Sequence, residues 1–266
     1  MSFVLTDKPR PHVSLVTLNR PERMNAMAFD VMIPLRRALE ELSLDNDTRV
    51  VVLTGAGDAF CSGADLEDSG VVPDIDGLTT LGIAWRAMEL LHDVIIAMRR
   101  MHQPIIGAIN GAAIGGGFCL GVAADIRIAS ERAYFRAAGI NNGLTSSELG
   151  ISYLLPRAIG ASRAFEILLS GRDVDAREAE RIGLVNEVVP RDRLMPRVYE
   201  LAAVICGHGP MAIRMTKELA LRSRDLSIPD GIRLYQALNR LVELSDDLEE
   251  GTRAFAEKRK PEFKNR

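Results

Sequence analysis

Two spacings of apolar residues alternate along the first two thirds of the chain. Short runs at 13–18, 50–54, 105–109, 125–129 and 185–189 are rich in Val and Ile and end in turn formers, which predicts strands. Between them apolar residues recur at helical spacing. Over 29–42, Val31, Leu35, Leu39 and Leu42 share one side of a helix with Asp30 near its start, and 82–99 carries a second such pattern. Alternating strands and helices predict an α/β core with mainly parallel pairings. From about Met195 the pattern turns helical throughout, over 210–223, 232–244 and 246–258. The chain therefore divides into a core over 1–194 and a helical C-terminal subdomain over 195–266, without a low-complexity linker or a fixed-period repeat.

Two places break this pattern in the same way. In GAINGAAIGGGFCLG, 107–121, an apolar strand passes through a turn into three consecutive glycines that open a helix. Glycine admits close backbone approach, and the first N–H groups of a helix lack internal partners, so the turn is an anion site. A second turn of this kind lies in AFCSGADL, 59–66. If the fold joins the N–H groups of Ala64 and Gly116, they form an oxyanion hole, which stabilises a developing enolate or alkoxide. The plainer alternative is that Gly115, Gly116 and Gly117 allow tight helix–strand packing. Neither turn has the Gly-Lys-Ser/Thr ending of a P-loop or the spacing G-x-G-x-x-G. The segment 67–80 between them is acidic and aperiodic, a loop beside the Ala64 turn that is either a gate or an ordinary surface stretch.

Composition narrows the partners. Of 266 residues, 47% are hydrophobic, enough for a full core. Basic and acidic side chains nearly balance, 33 against 36, so no global field draws nucleic acid or anionic lipid, and a small-molecule partner is expected. Three cysteines, Cys61, Cys119 and Cys206, are odd in number and far apart, which argues against a disulfide framework or a structural zinc. With no signal pattern at the start and no apolar run of bilayer length, a cytoplasmic location is expected. His12, His92, His102 and His208 lack H-E-x-x-H or triad spacing, so neither a metal centre nor a histidine base is expected.

At its two glycine turns the sequence resembles the crotonase superfamily, the enoyl-CoA hydratase/isomerase fold. LNRPERMNA at 18–26, GADL at 63–66, GAAIGGG at 111–117, ADIRIA at 124–129, EAERIGLVN at 178–186 and EKRKPEF at 257–263 occur in family order. Each motif alone is weak; together they are specific. The resemblance implies a ββα spiral core, a helical C-terminal region that serves assembly into a trimer or dimer of trimers, and a coenzyme A thioester as substrate, with no permanently bound cofactor. It implies that Ala64 and Gly116 supply the oxyanion N–H groups and that Ala64, Asp65 and Leu66 border the adenine. Arg20 and Arg23, with Ala26 in the same motif, are implied to face coenzyme A and its phosphates.

The departures concern the reacting groups. Hydratases resembling this chain carry one glutamate two residues after the triple glycine and another on the next loop; here those positions are Cys119 and Gly139. Neither is a carboxylate base. Cys119 reads better as a small buried apolar residue than as a nucleophile. Glu148, further along the same loop, falls with one inserted residue where dienoyl-CoA isomerases of the superfamily carry a catalytic aspartate. It is the candidate base, and its competing reading is a capping box with Thr145. Asp65 and Asp125 read as turn-fixing residues, Arg99 and Arg100 as a solvated helix end, and Trp85, Met88 and Ile95 as a core stripe or, less simply, an acyl pocket wall. Polarising a thioester carbonyl acidifies Cα–H, and one carboxylate then suffices to move a proton between carbons, so double-bond isomerisation leads. A hydratase with displaced groups and a catalytically silent acyl-CoA-binding protein remain as alternatives.

Overall fold

The computed structural model describes residues 2–264. In chain order its strands are β1 (Val4–Arg10), β2 (Val13–Leu18), β3 (Val50–Gly55), β4 (Ala59–Cys61), β5 (Ile105–Ile109), β6 (Ala112–Ile114), β7 (Ile126–Ser130), β8 (Tyr134–Arg136), β9 (Asp173–Asp175) and β10 (Glu187–Val189). The helices are α1 (Phe29–Leu44), α2 (Thr80–Arg100), α3 (Gly116–Ala123), α4 (Ile151–Ile159), α5 (Ala161–Ser170), α6 (Ala176–Arg181), α7 (Leu194–Cys206), α8 (Pro210–Arg222), α9 (Ile228–Glu243) and α10 (Asp246–Ala256).

The apolar runs of the sequence build one six-stranded sheet in the order β1-β2-β3-β5-β7-β10. Its β1–β2 hairpin is antiparallel and all other neighbours are parallel. The short strands form a second sheet, β4-β6-β8-β9, parallel except for β9. Each of β3, β5 and β7 thus runs on into β4, β6 or β8 before the chain turns away, giving a ββα spiral of the expected kind. Strands β3 and β5 are buried at every residue because helices cover both faces, which is why they read as continuous apolar runs.

The pleat sorts these residues between two cores. Val51 and Leu53 face α1, α2 and α3, whereas Val50 and Val52 pack with Ile106, Ala108 and Ile128 against Leu194, Val198 and Ala202 of α7. The first helix beyond residue 194 is therefore built into the core, and the packing changes character after Cys206. Helix α8 docks through buried Lys217, whose ammonium donates to Gln103 O at 2.8 Å and pairs with Asp125 at 2.6 Å. Helix α9 buries none of its residues, and Ile228, Ile232 and Tyr235 on it are exposed.

The corners between the sheets are tied by amides. Asn110 Nδ2 donates to the carbonyls of Gly55, Gly57 and Ala59 at 2.9–3.0 Å, and a Cβ on the next residue, Gly111, would sit 1.8 Å from Asp58 O. Successive turns of the spiral stack backbone on backbone there, which only glycine permits.

Helix α2 departs from expectation. Leu90, Val94, Ile95 and Met98 are buried, but Trp85 is 69% exposed and Met88 51%, so the stripe belongs to the core only in its second half. Arg99 is not merely solvated, since it pairs with Asp125 at 3.6 Å. Asp125 accepts from Ile105 N at 2.8 Å, a bond to the start of β5 rather than the local turn expected from the sequence.

Candidate active site

The two glycine turns meet. After β4 the chain forms an isolated parallel bridge between Met27 and Ala64, in which Met27 N donates to Gly63 O at 2.7 Å and Asp65 N to Met27 O at 2.9 Å. A bridge of this register uses the groups on either side of Ala64 and leaves Ala64 N–H pointing away, with no backbone acceptor among the described residues. After β6, Gly115 takes φ +52° and ψ −120° and caps α3, so Gly116 N–H is the first, unpartnered donor of that helix. A Cβ on Gly63 would lie 2.8 Å from Ile114 O, and one on Gly116 would strike Met27 Sδ. Met27 is thus shared: its backbone holds the Ala64 turn and its side chain lies on Gly116.

Helix α3 aims its positive end at this junction. All eight of its residues are buried, and its far end is neutralised by Arg127, which is itself buried. The Arg127 guanidinium donates to the carbonyls of Val122, Ala124 and Leu184 at 3.2, 2.6 and 2.6 Å.

An ion-pair cluster clamps the Ala64 turn. Asp65 Oδ1 accepts from Glu67 N and Asp68 N at 3.0 and 2.9 Å, an Asx-type turn. Its carboxylate also pairs with Arg23 at 2.6 Å and Arg20 at 2.9 Å. The Arg23 guanidinium, followed by the Asp68 N–H, holds the Asp65 carboxyl far below the usual carboxylate range. Arg20, only 5% exposed, gives its guanidinium to Asp65 and Asp68. Ala26 is likewise buried beneath the turn, while Arg23 keeps a third of its side chain at the rim and Leu66 is 84% exposed beside it.

The third component comes from the loop after β8. The Ser146 hydroxyl donates to Ala137 O at 3.1 Å and accepts from Ile140 N at 2.9 Å, folding the loop back on itself. A 3-10 turn, Glu148–Gly150, follows, with Leu149 in the left-handed region at φ 52°. No capping box forms: Ser147 occupies the cap position and makes no side-chain bond, because the left-handed Leu149 breaks the helix that such a box would begin. Glu148 points inward instead. Its Oε2 is buried without a hydrogen-bond partner. A Cβ on Gly115 would lie 3.3 Å from Glu148 Oε1, and one on Gly139 3.1 Å from Oε2, so the carboxylate sits between the α3 entrance and the place of the missing second glutamate. The place of the first holds Cys119, fully buried, whose thiol donates to Leu149 O at 2.9 Å. Burial, and then the Glu148 carboxylate, pushes that thiol well above its usual range, so it stays protonated. Beside the turn opens a cleft of about 810 Å³ lined by apolar Ile95, Leu149 and Leu221 and by polar His92, Glu218 and Asp225 at its wall.

Known proteins match the chain over most of its length. Residues 10–266 match the family model described as enoyl-CoA hydratase/isomerase. The chain belongs to the enoyl-CoA hydratase/isomerase family. A probable enoyl-CoA hydratase of Mycobacterium bovis is 56% identical over 265 residues, covering 99% of this chain and 93% of its own length. A probable enoyl-CoA hydratase/isomerase from Mycobacterium abscessus superposes with a TM-score of 0.93 at 55% identity, over the whole of both chains. A monofunctional enoyl-CoA isomerase from M. smegmatis gives a TM-score of 0.74 at 54% identity, over 87% of this chain and 98% of its own. Family membership makes the protein an enzyme of the hydratase/isomerase class and accounts for the spiral core.

Of the four histidines, His92 lines the cleft. His102 lies beneath α8, where burial, then Arg214 and Lys217, lower it to about 4. Sequence reasoning missed Met27 and Ser146 as supports of the site. Met27 sits in an apolar run with no motif of its own, and Ser146 adjoins a second serine that makes no comparable bond.

Proposed function

We infer that the protein isomerises the double bond of an enoyl-CoA, moving a proton between Cα and Cγ without adding water. The thioester oxygen accepts from Ala64 N–H and Gly116 N–H. Glu148 removes a Cα proton from a 3-enoyl thioester, the electron pair passes into the carbonyl as an enolate, and the two donors with the α3 dipole stabilise the charge. The same carboxylate then returns the proton to Cγ, so the double bond arrives at C2–C3 and no atom is lost or gained. Leu66 and Arg23 flank the entrance on the side of the coenzyme.

The observation that carries this reading is the orphaned Glu148 carboxylate at the glycine junction. Glu148 Oε2 is buried with its lone pairs uncontested, and the two positions that would supply hydratase glutamates hold a thiol engaged with a carbonyl and a residue without a side chain. Hydration asks one group to deliver the elements of water while another returns a proton. Incubating the enzyme with a trans-3-enoyl-CoA and following products by NMR tests it. The 2-enoyl-CoA should accumulate, whereas 3-hydroxyacyl-CoA as the first product, or no turnover across chain lengths, would refute isomerisation.

The assembly is a trimer or dimer of trimers on this reading. Helix α9 leaves Ile228, Ile232 and Tyr235 exposed, and such a face needs a second surface. The terminal motif is already ordered for it: Arg259 pairs with Glu250 at 2.6 Å, and Phe263 O accepts from Arg49 at 2.9 Å, returning the tail to the core. Light scattering at micromolar concentration should give three or six times the chain mass, and a stable monomer would contradict it.

A further inference from the structure

We propose that Cys119 is a positioning residue, whose thiol fixes the Glu148 carboxylate by holding the carbonyl of the next residue. This rests on Glu148 being the base. Leu149 is a non-glycine residue at φ 52°, a conformation that L side chains adopt only when their surroundings enforce it. The enforcement comes from α3: Cys119, on its second turn and fully buried, donates to Leu149 O at 2.9 Å. The Leu149 side chain is pressed close to the Gly116 Cα, where a Cβ would stand 3.0 Å from its Cδ1. Leu149 is therefore held at two points to the helix whose first N–H faces the thioester.

Glu148, one residue back, has no anchor of its own at Oε2. Its position is inherited from the Leu149 turn and from the room left at Gly139, where a Cβ would come within 3.1 Å of Oε2 and 2.3 Å of Thr145 O. A base free of hydrogen bonds keeps its lone pair for the substrate, but it needs another residue to hold it in place. The thiol supplies that hold at a distance of one peptide unit. It does so only while protonated, a state that burial beside a carboxylate favours. The position at which relatives with hydratase chemistry would place a second acid is thus reused here as a donor that steadies the one acid present.

The test compares Cys119→Ala, Cys119→Ser and Glu148→Gln, singly and combined, in the full-length enzyme on a trans-3-enoyl-CoA. Displacing a reacting group by about an ångström costs up to roughly 10²-fold, so Cys119→Ala should lower kcat by about 10- to 100-fold with KM little changed. Cys119→Ser, which restores a donor, should recover most of it. In the Glu148→Gln background the Cys119→Ala loss should vanish, since a residue acting through the base has nothing left to position. Wild-type kcat in Cys119→Ala, no rescue by serine, or an undiminished loss in the Glu148→Gln background would each overturn the proposal. Full turnover by Glu148→Gln alone would remove the base itself, and the positioning role with it. A loss confined to Glu148→Gln would leave the base standing and remove only the tether. Should Cys119→Ala fail to fold, Cys119→Val fills the volume without a donor and takes its place in the comparison.

Discussion

Glu148→Gln is expected to lower turnover by about 10²-fold or more, the usual scale for loss of a general base, while leaving acyl-CoA affinity nearly unchanged. Glutamine keeps the length and shape of the side chain and removes only the capacity to take a proton. The stability of the variant adds a second, opposite signature. Because Glu148 Oε2 is buried without a hydrogen-bond partner, glutamine gives up no bond there, and the variant should unfold at the same temperature or higher. Steady-state kinetics with calorimetry checks both halves. Retained turnover would take Glu148 out of the chemistry, and a lower melting temperature would mean that its carboxylate has a structural partner.

Asp65→Ala should damage the enzyme by another route. The Arg20 and Asp65 side chains are 6% and 2% exposed, so deleting the acid leaves a buried guanidinium with Asp68 as its remaining acidic partner among the described residues. Breaking a buried pair in this way costs about 3–5 kcal/mol, and the Asx turn that presents Ala64 N–H goes with it. Urea denaturation should show the loss, and Asp65→Asn, which keeps an acceptor for the two backbone N–H groups, should recover part of it. The pH dependence has a fixed sign. The Asp65 carboxyl is held below its ordinary value, so its stabilisation is fully present above about pH 4, the unfolded range, and fades as the pH falls below it. Wild-type stability should therefore decline more steeply than that of Asp65→Ala on acidification below that point. Parallel curves would show that the cluster contributes nothing.

What the sequence reveals follows from length and burial. Strands β2, β3, β5 and β7 are five or six residues long, and β3 and β5 are covered on both faces, so their apolar runs are legible. The second sheet is built of three-residue strands, too short to show any period, although it delivers every part of the site. The run at 185–189 overreaches for a local reason: Leu184 N and Val185 N turn back to Ala179 O at 2.8 and 3.2 Å, and β10 begins only at Glu187. Thr145 to Glu148 has the letters of a capping box, but backbone handedness at Leu149 is invisible to a side-chain pattern. Arg20 lies in a motif that suggests phosphate contact, and its pairing with Asp65, forty-five residues away, is not legible in the local sequence. Trp85 has helical spacing with Ile95, yet α2 meets the core only in its second half.

On the proposed reading the donors at the junction are main-chain groups, while what distinguishes one reaction from another there is a side chain at 119, 139 or 148. Peptide N–H groups survive nearly any substitution that preserves the turn, so a lineage can exchange its acids without losing its grip on the thioester. An intermediate that has discarded one chemistry and not yet acquired the next still binds its ligand and still folds, which leaves selection something to retain. The spiral in this way separates holding from reacting, and a family that mixes hydratases with isomerases is the evolutionary outcome that such a separation permits.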